Sequence, residues 1–192
     1  MKVWLFDIRN IEGKEDEILP LLSEQRREKA LRQIDPQERL RSIAAGYLLR
    51  GYFHDREIHI NEYGKPYLDG GPCFSISHAG DYVGIVFSAY PVGLDIEGER
   101  KISPSVLEKC FKTVSNDDSE NRRRWCIKEA IAKAEGKGMV GDFKAIPEEE
   151  GLVRYLGKNY SVKTTTFNGY TIAVAVKRKM TFELDPYEVP YR

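Results

Sequence analysis

Cysteine is scarce in this sequence, and its scarcity argues against two kinds of small protein. Only Cys73, Cys110 and Cys126 are present, an odd number with wide spacing, so no disulfide framework is indicated. None of them belongs to a C-x-x-C pair, and the ligand spacing of a zinc site is missing. We expect all three to be ordinary buried thiols.

Net charge and long apolar runs are missing as well. Thirty Lys and Arg residues cancel thirty Asp and Glu residues, so no overall basic field would attract nucleic acid or anionic lipid, and any anion site must be a local cluster. In the first ten residues, MKVWLFDIRN, Asp7 and Arg9 interrupt the apolar run before it could form a signal-peptide core or span a bilayer. We therefore predict a soluble, cytoplasmic protein that binds neither nucleic acid nor membrane.

What the sequence does contain suits a folded chain of modest size. Its 192 residues are 41% hydrophobic and 31% charged, which fits one compact unit or two small ones that share a core. Pro91 and Gly93 punctuate the chain near its midpoint, where a new strand begins. We predict a boundary there, with one half at residues 1–90 and the other at residues 91–192.

Hydrophobic periodicity predicts the elements of each half. In the first half we expect a strand at 2–8, a basic helix that follows Ser23 and ends before Pro36, a core helix at 36–53, a turn at 64–66 and a hairpin at 73–78 and 82–88. In the second half we expect a strand at 93–97, a helix at 125–137 and a strand pair at 160–166 and 170–177. The polar stretch 113–124 is typical of a mobile loop, and the tail that contains Pro186 and Pro190 is expected to be irregular.

Two carboxylates stand two residues apart in the extended segment GLDIE. Side chains alternate along a strand, so Asp95 and Glu97 share one face while Leu94 and Ile96 point into the core. Magnesium in phosphate-handling sites is typically held by one or two carboxylates together with substrate phosphates and water. A lone D-x-E pair is more often a solvent-facing strand edge, so this pair alone decides nothing.

A second pair of charges lies in the helical segment WCIKEAIAKAEGKG. Glu129 and Lys133 are four residues apart and share a helix face with Trp125. A surface Glu and Lys pair at this spacing stabilises a helix by about 0.2–0.5 kcal/mol and needs no further function. Gly136 and Gly138 end the helix and permit close approach of another group to the backbone.

Other polar side chains have two interpretations each. His78 ends a predicted strand at a hairpin, where it could face a cleft or simply be satisfied by backbone. Lys65, in the G-K-P triplet, is an exposed turn lysine unless another site needs it. Basic runs on helices are usually solvated faces, although Arg and Lys also bind phosphate. One such run is Arg26, Arg27, Lys29 and Arg32. Residues 122–124 form a second run, which we leave as surface.

Taken together, the order and spacing of these blocks resemble the surfactin-synthetase-type 4′-phosphopantetheinyl transferases. The matching blocks lie between residues 24 and 176. They are REKALR with a following R-S, the helix ending YLLR, EYGKPYL, FSISHAGDYVGIVF, PVGLDIE, WCIKEAIAKAEGKG and GYTIAVAV. The resemblance implies an α+β fold, a pseudo-dimer of two similar α/β halves with coenzyme A in the cleft between them. It also implies a magnesium-dependent enzyme that transfers the phosphopantetheine arm of coenzyme A to a serine of an apo acyl or peptidyl carrier protein and releases 3′,5′-ADP.

The resemblance also assigns expected roles to individual residues. Asp95, Glu97 and Glu129 would hold the magnesium ion, and Asp95 and Lys133 would lie next to the coenzyme A phosphates. Glu129, or a water molecule, would take the proton of the attacking serine. Together with Lys133 and His78, Glu129 is a catalytic candidate. The remaining coenzyme A contacts would be Ser77 and His78 at the phosphates, Lys65 and Pro66 at the adenine, and Arg26, Lys29, Arg41 and Ser42 at the 3′-phosphate.

Three departures from the family pattern are visible. Ser75 stands where many members have asparagine, Ala79 stands where many have serine, and the stretch between Phe111 and Trp125 is short. The last of these bears on which carrier protein is the partner. Two other functions remain open at this point: a degenerate module that binds coenzyme A or a carrier protein, and a magnesium-dependent nucleotide phosphohydrolase. Because both halves of the cleft lie in one chain, we expect a monomer.

Overall fold

Alternating apolar residues build two four-stranded sheets in the computed structural model, which describes residues 1–54, 56–138 and 142–191. The strands of the first sheet are β1 (Lys2–Asp7), β4 (Cys73–Ala79), β5 (Tyr82–Ser88) and β10 (Asp185–Glu188). Those of the second sheet are β6 (Val92–Glu97), β7 (Gly151–Tyr155), β8 (Lys158–Phe167) and β9 (Tyr170–Val176). The first sheet has the order β10-β1-β5-β4 and the second has the order β6-β9-β8-β7. A separate short pair joins β2 (His59–Ile60) and β3 (Pro66–Tyr67).

Five α-helices accompany the sheets in the described part of the chain. They are α1 (Glu15–Ile18), α2 (Glu24–Leu31), α3 (Pro36–Phe53), α4 (Pro104–Cys110) and α5 (Asp118–Glu135), with short 3-10 turns at Ile8–Ile11, Leu19–Leu21 and Phe143–Ala145. The fold is therefore mixed α+β, as the resemblance implies. None of the helices in the described residues combines the length and the apolar composition that crossing a bilayer requires.

Three packed clusters order these elements into layers. The first cluster joins α3 to one face of the first sheet, and the second joins α5 to one face of the second sheet. The third lies between the sheets and takes Leu5 and Val86 from the first, and Leu94, Ile96 and Val174 from the second. Leu94 and Ile96 thus point into the core, as the alternation along GLDIE predicts. The layers run α3, first sheet, second sheet, α5.

The predicted core helix at 36–53 is confirmed at both ends. Asp35 accepts a hydrogen bond from the backbone N–H of Glu38 at 2.8 Å, and Pro36 occupies the first turn. A carboxylate cap satisfies an otherwise unpaired backbone N–H. Proline, which has no N–H, fits the first turn because an N–H at that position would have no acceptor within the helix. The local sequence therefore sets where α3 begins.

Several expectations about local structure were wrong. Helix α5 begins at Asp118, inside the stretch expected to be a loop, because Asp117 caps it by accepting from Ser119 N–H at 2.8 Å. Helix α4 and strand β7 had not been predicted. The tail is not wholly irregular, since β10 pairs in parallel with β1 and places Tyr187 opposite Trp4. Cys126 is buried, whereas Cys73 and Cys110 are only partly so.

Candidate active site

Two serine hydroxyls connect the two sheets where β4 runs beside β6. The backbone N–H of Leu94 donates to Ser75 Oγ at 3.0 Å, and that of Ile96 donates to Ser77 Oγ at 3.2 Å. Both serines are buried, so these bonds satisfy backbone groups that would otherwise be costly to bury. Ser75, one of the departures from the family pattern, therefore has a structural contact here. The pairing also brings Ser77 and His78 of β4 next to the segment 95–97 of β6.

Helix α5 contributes a lysine to the same junction. Lys133 Nζ donates to Asp95 Oδ1 at 2.7 Å and to Ser77 Oγ at 3.0 Å, while Ser77 Oγ donates to Asp95 Oδ1 at 3.0 Å. Although burial opposes the charge of Lys133, Asp95 raises the pKa of its amine. Three residues from three separate sequence blocks thus form one hydrogen-bonded cluster, which we call the junction cluster.

One carboxylate oxygen in the junction cluster has no partner. Asp95 is 4% exposed, and its Oδ2 accepts no hydrogen bond among the described residues. A buried carboxylate oxygen without a partner is costly, because it has lost its water and gained nothing in exchange. This atom is accordingly disposed to bind a cation or a donor from a ligand.

Glu129 lies one turn before Lys133 on α5 and interacts electrostatically with Asp95 and Glu97 of β6. Burial, together with the negative charges of Asp95 and Glu97, raises the pKa of Glu129 to about 7, although Lys133 and Arg100 act in the opposite direction. Three carboxyl groups are therefore close enough to repel one another. Such repulsion is relieved when a positive ion is bound.

This donor set fits a hard divalent cation in its chemistry, but its members are not converged. Carboxylate oxygens are the ligands that magnesium prefers, and Asp95 Oδ2 is a free oxygen of that kind. Within the described ranges, however, no three acidic, histidine or cysteine side chains are arranged to hold a metal ion. Both oxygens of Glu97 accept hydrogen bonds from Arg100 instead.

A glycine sets the distance between β6 and α5. An ideal Cβ on Gly93 would lie 1.9 Å from the carbonyl oxygen of Ala130 and 2.5 Å from the backbone nitrogen of Ala134. Only a residue without a side chain allows the helix backbone to approach the strand so closely. This contact brings Glu129 and Lys133 on the helix next to the carboxylates of the strand.

A pocket of about 640 Å³ opens beside the junction cluster. It is lined by residues of both sheets and of two helices, among them Arg41, His78, Asp95, Glu97 and Lys133. His78 is exposed at the end of β4, as the sequence predicts. Partial desolvation and the positive charges of Arg41, Lys133 and Lys29 lower the pKa of His78, although Glu38 opposes them. The imidazole thus stands among cations at the wall of the pocket.

The residues expected to hold a 3′-phosphate also come together. Arg26 and Lys29 lie on α2, Arg41 and Ser42 lie on α3, and Arg26 Nη2 donates to the carbonyl of Ser42 at 3.4 Å. Arg26 Nε, Arg41 Nε and Ser42 Oγ are buried without a hydrogen-bond partner in the described chain. Partial shielding from water and the proximity of Arg26 lower the pKa of Lys29. Unpaired donors among crowded cations favour the binding of an anion.

The guanidinium of Arg41 also makes hydrogen bonds within the protein. Its Nη1 donates to the carbonyl of Gly80 at 2.8 Å, and its Nη2 donates to Glu38 at 2.8 Å. These bonds tie α3 to the turn that follows His78. Arg41 therefore supports the shape of the pocket as well as its charge, and the effects of replacing it will combine both.

The G-K-P turn is docked on the end of α5. Lys65 Nζ donates to the carbonyls of Lys133 and Val92 at 2.6 and 3.0 Å, and Asn61 Nδ2 donates to the carbonyl of Gly136 at 2.9 Å. Burial lowers the pKa of Lys65 to about 8. A lysine near the last carbonyls of a helix is favoured by the helix dipole. The ammonium of Lys65 is thus occupied by the protein itself, and Pro66 begins β3 beside it.

Some residues at the site were not identified from the sequence. Tyr170 lines the pocket, and its hydroxyl accepts from the backbone N–H of Asp81 at 3.1 Å. Arg100 lies at the same pocket and pairs with Glu97. The expectation that residues 122–124 are surface fails for Arg124, which is buried and pairs with Glu148 at 2.7 Å. The contacts of Tyr170 with Asp81 and of Arg124 with Glu148 join distant parts of the chain, so no local pattern signals them, whereas Arg100 stands only three residues after Glu97.

The second half of the chain is similar to a known protein family. A family model described as the 4′-phosphopantetheinyl transferase superfamily matches residues 91–175. That range contains the strand carboxylates and the α5 residues of the junction cluster, together with Glu129. The match is therefore centred on the second sheet and its helix.

Curated relatives extend the similarity into the first half. The 4′-phosphopantetheinyl transferase gsp of Aneurinibacillus migulanus is 30% identical over 62% of this chain and 57% of its own length. The 4′-phosphopantetheinyl transferase ffp of Bacillus subtilis is 27% identical over 85% of both chains. The 4′-phosphopantetheinyl transferase Sfp of Bacillus subtilis strain 168 is 27% identical over 72% of both. This chain thus spans less than two thirds of the first relative and more than two thirds of the other two.

Proposed function

We propose that the chain is a member of the 4′-phosphopantetheinyl transferase superfamily, to which its second half and the relatives above are similar, and that it transfers the phosphopantetheine arm of coenzyme A to a serine of an apo acyl or peptidyl carrier protein. The observation that carries the proposal is the junction cluster, in which Lys133, Ser77 and Asp95 meet and leave the buried Asp95 Oδ2 unpaired. Neither an inactive binding module nor a nucleotide phosphohydrolase is favoured beside this activity.

A magnesium ion is part of the proposed site. Asp95, Glu97 and Glu129 would hold it, because they supply hard oxygen ligands. Burial raises the pKa of Glu129, and the negative charges of Asp95 and Glu97, which a cation would offset, raise it further. Bound there, the ion would neutralise charge on the pyrophosphate of coenzyme A. The chain's own cation, Lys133, lies against Asp95 and can add to that stabilisation.

The reaction requires one proton transfer besides the exchange of bonds. The serine oxygen forms a bond to the β-phosphorus of coenzyme A, the bond from that phosphorus to the bridging oxygen breaks, and 3′,5′-ADP leaves with the electron pair. The hydroxyl proton of the serine needs an acceptor. Glu129 is our candidate acceptor, directly or through a water molecule.

Binding of coenzyme A would use the pocket and the cationic residues beside it. We assign the 3′-phosphate to Arg26, Lys29, Arg41 and Ser42, because the unpaired donors of Arg26, Arg41 and Ser42 support an anion site. We assign the phosphates of the pyrophosphate to Ser77, His78 and Lys133. Lys65 and Pro66 are the proposed adenine neighbours. We propose that residues 1–90 and 91–192 form the two halves of a pseudo-dimer around the cofactor, with β10 of the second half completing the first sheet. The monomeric state and the cytoplasmic location stay predictions.

Intact-mass measurement of carrier proteins tests the proposed reaction directly. A panel of apo carrier proteins is incubated with the enzyme, coenzyme A and magnesium. We expect at least one of them to gain the mass of the phosphopantetheine arm, with 3′,5′-ADP appearing in equal amount. Consumption of coenzyme A at the same rate with and without a carrier protein would instead indicate a hydrolase, and no consumption with any carrier would indicate a binding module.

Lys29 offers the cleaner test of the 3′-phosphate site, since no ion pair of its ammonium is found within the described chain, whereas Arg41 also supports the pocket. Charge-assisted hydrogen bonds are worth about 1.5–3 kcal/mol, so Lys29→Ala is expected to weaken coenzyme A binding about tenfold or more. Binding of dephospho-coenzyme A, which lacks the 3′-phosphate, should change little. Isothermal titration with both cofactors measures the difference.

The matched control is Arg32→Ala, at the residue that directly follows α2. Arg32 is exposed and pairs with Glu28, so its loss should leave both affinities nearly unchanged. At saturating coenzyme A the transfer rate of Lys29→Ala should largely recover, because the carboxylate site is intact. If Lys29→Ala keeps the full wild-type preference for coenzyme A over dephospho-coenzyme A, the basic face of α2 does not bind the 3′-phosphate.

A further inference from the structure

Glu97 is held by an arginine that lies in the next turn of chain. Arg100 Nε donates to Glu97 Oε2 at 2.8 Å, and Arg100 Nη2 donates to Oε1 at 2.9 Å. The Glu97 side chain is 9% exposed, whereas that of Arg100 is 57% exposed. The carboxylate is therefore fixed in the pocket wall while the guanidinium lies at the pocket mouth, where it can move into solvent.

The charges around this pair are nearly balanced by the protein itself. Lys133 pairs with Asp95, and Arg100 pairs with Glu97 and also attracts Asp95 and Glu129. Two cations thus face three carboxyl groups. A divalent ion that binds the same carboxylates must compete with the guanidinium for the oxygens of Glu97, because the two-pronged contact uses both of them.

The backbone next to Arg100 is anchored independently of its side chain. Arg122 Nη1 donates to the carbonyl of Arg100 at 3.2 Å, and Lys101 pairs with Asp118 at 3.4 Å. Both contacts tie the segment after β6 to the first turns of α5. The guanidinium can therefore leave Glu97 without the segment losing its place.

We propose that Arg100 is a built-in counter-ion that competes with a divalent cation for Glu97, so that its guanidinium must release the carboxylate before Glu97 can act as a cation ligand. The inference rests on the proposed function, since it concerns the same three carboxylates. It predicts that removal of the Arg100 guanidinium raises the affinity for the cation, whereas a merely supporting role for Arg100 predicts the opposite. Loss of a support for Glu97 would weaken cation binding, whereas loss of a competitor strengthens it.

The chain contains a matched control for this pair. Arg123 makes the same contact with Glu120, at the same spacing and at distances of 2.8 and 2.8 Å, away from the pocket. We expect Arg100→Gln to bind Mn²⁺ about two- to fivefold more tightly than the wild type, the range set by an exposed ion pair. Arg123→Gln should stay within about twofold of the wild type, and Arg100→Lys, which keeps the charge but not the fork, should lie between.

The measurement is a titration of the full chain with Mn²⁺, in which the electron paramagnetic resonance signal of the free ion is followed. It is run with and without saturating coenzyme A and without a carrier protein, so no transfer occurs. Affinity of Arg100→Gln equal to or weaker than that of the wild type overturns the counter-ion proposal. Asp95→Asn separates the two levels: if it loses Mn²⁺ binding while Arg100→Gln shows no gain, only the counter-ion role fails. If Asp95→Asn binds Mn²⁺ like the wild type, the carboxylate site fails, and the counter-ion role fails with it.

Discussion

Replacement of Asp95 by asparagine is expected to lower the rate of phosphopantetheine transfer at least about a hundredfold. The substitution keeps the shape of the side chain but removes the charge that pairs with Lys133 at 2.7 Å and the unpaired oxygen Oδ2. Stabilisation of developing phosphate charge by a metal ion is worth several kcal/mol, and each 1.36 kcal/mol is a factor of ten in rate. Steady-state transfer to an apo carrier protein, measured with and without EDTA, checks this result.

Glu129→Gln separates loss of function from loss of fold. Because burial and the neighbouring carboxylates raise the pKa of Glu129, its negative charge opposes folding at neutral pH. The neutral glutamine should therefore leave the midpoint of thermal unfolding unchanged or slightly raised while transfer falls sharply. A surface variant, Glu120→Gln, should retain the wild-type rate. Transfer that persists in EDTA, or that survives Asp95→Asn, would contradict the carboxylate assignment.

Replacement of Gly93 by alanine is expected to destabilise the protein by more than about 3 kcal/mol. The added methyl group would overlap the helix backbone at Ala130 and Ala134, and backbone atoms cannot rotate aside as a side chain can. Overpacking of a tight contact costs about 1–3 kcal/mol even where side chains adjust. The helix must instead move away from β6, which also separates Lys133 from Asp95. Chemical denaturation followed by circular dichroism gives the free energy of unfolding.

Gly51→Ala is the control for the glycine substitution. Gly51 lies in α3, and no heavy atom stands within 4 Å of its ideal Cβ, so alanine should be neutral or stabilising by up to about 1 kcal/mol, as expected for glycine in a helix. If Gly93→Ala matches Gly51→Ala in stability and retains transfer, α5 does not depend on this close approach to β6.

Elements with strong local signals could be predicted from the sequence. The Asp35 and Pro36 signals define the start of α3, and the alternation along β6 correctly separates Leu94 and Ile96 from the carboxylates. The cap at Asp117 was equally local but was masked by the polar residues around it, so α5 was predicted to begin too late. Strand β10 gave no such signal, since it is a short, largely exposed segment whose pairing with β1 is far away in sequence.

What the sequence determined by itself is which groups are available and on which side of their element they lie. Periodicity places Asp95 and Glu97 on one face of a strand and Glu129 and Lys133 on one face of a helix. The tertiary structure alone decided the partners between elements: Lys133 meets Asp95, and the amine of Lys65 caps α5. The physical reason is that a pattern of residues fixes directions within one element, whereas pairing between elements depends on how closely their backbones pack, and here Gly93 sets that distance.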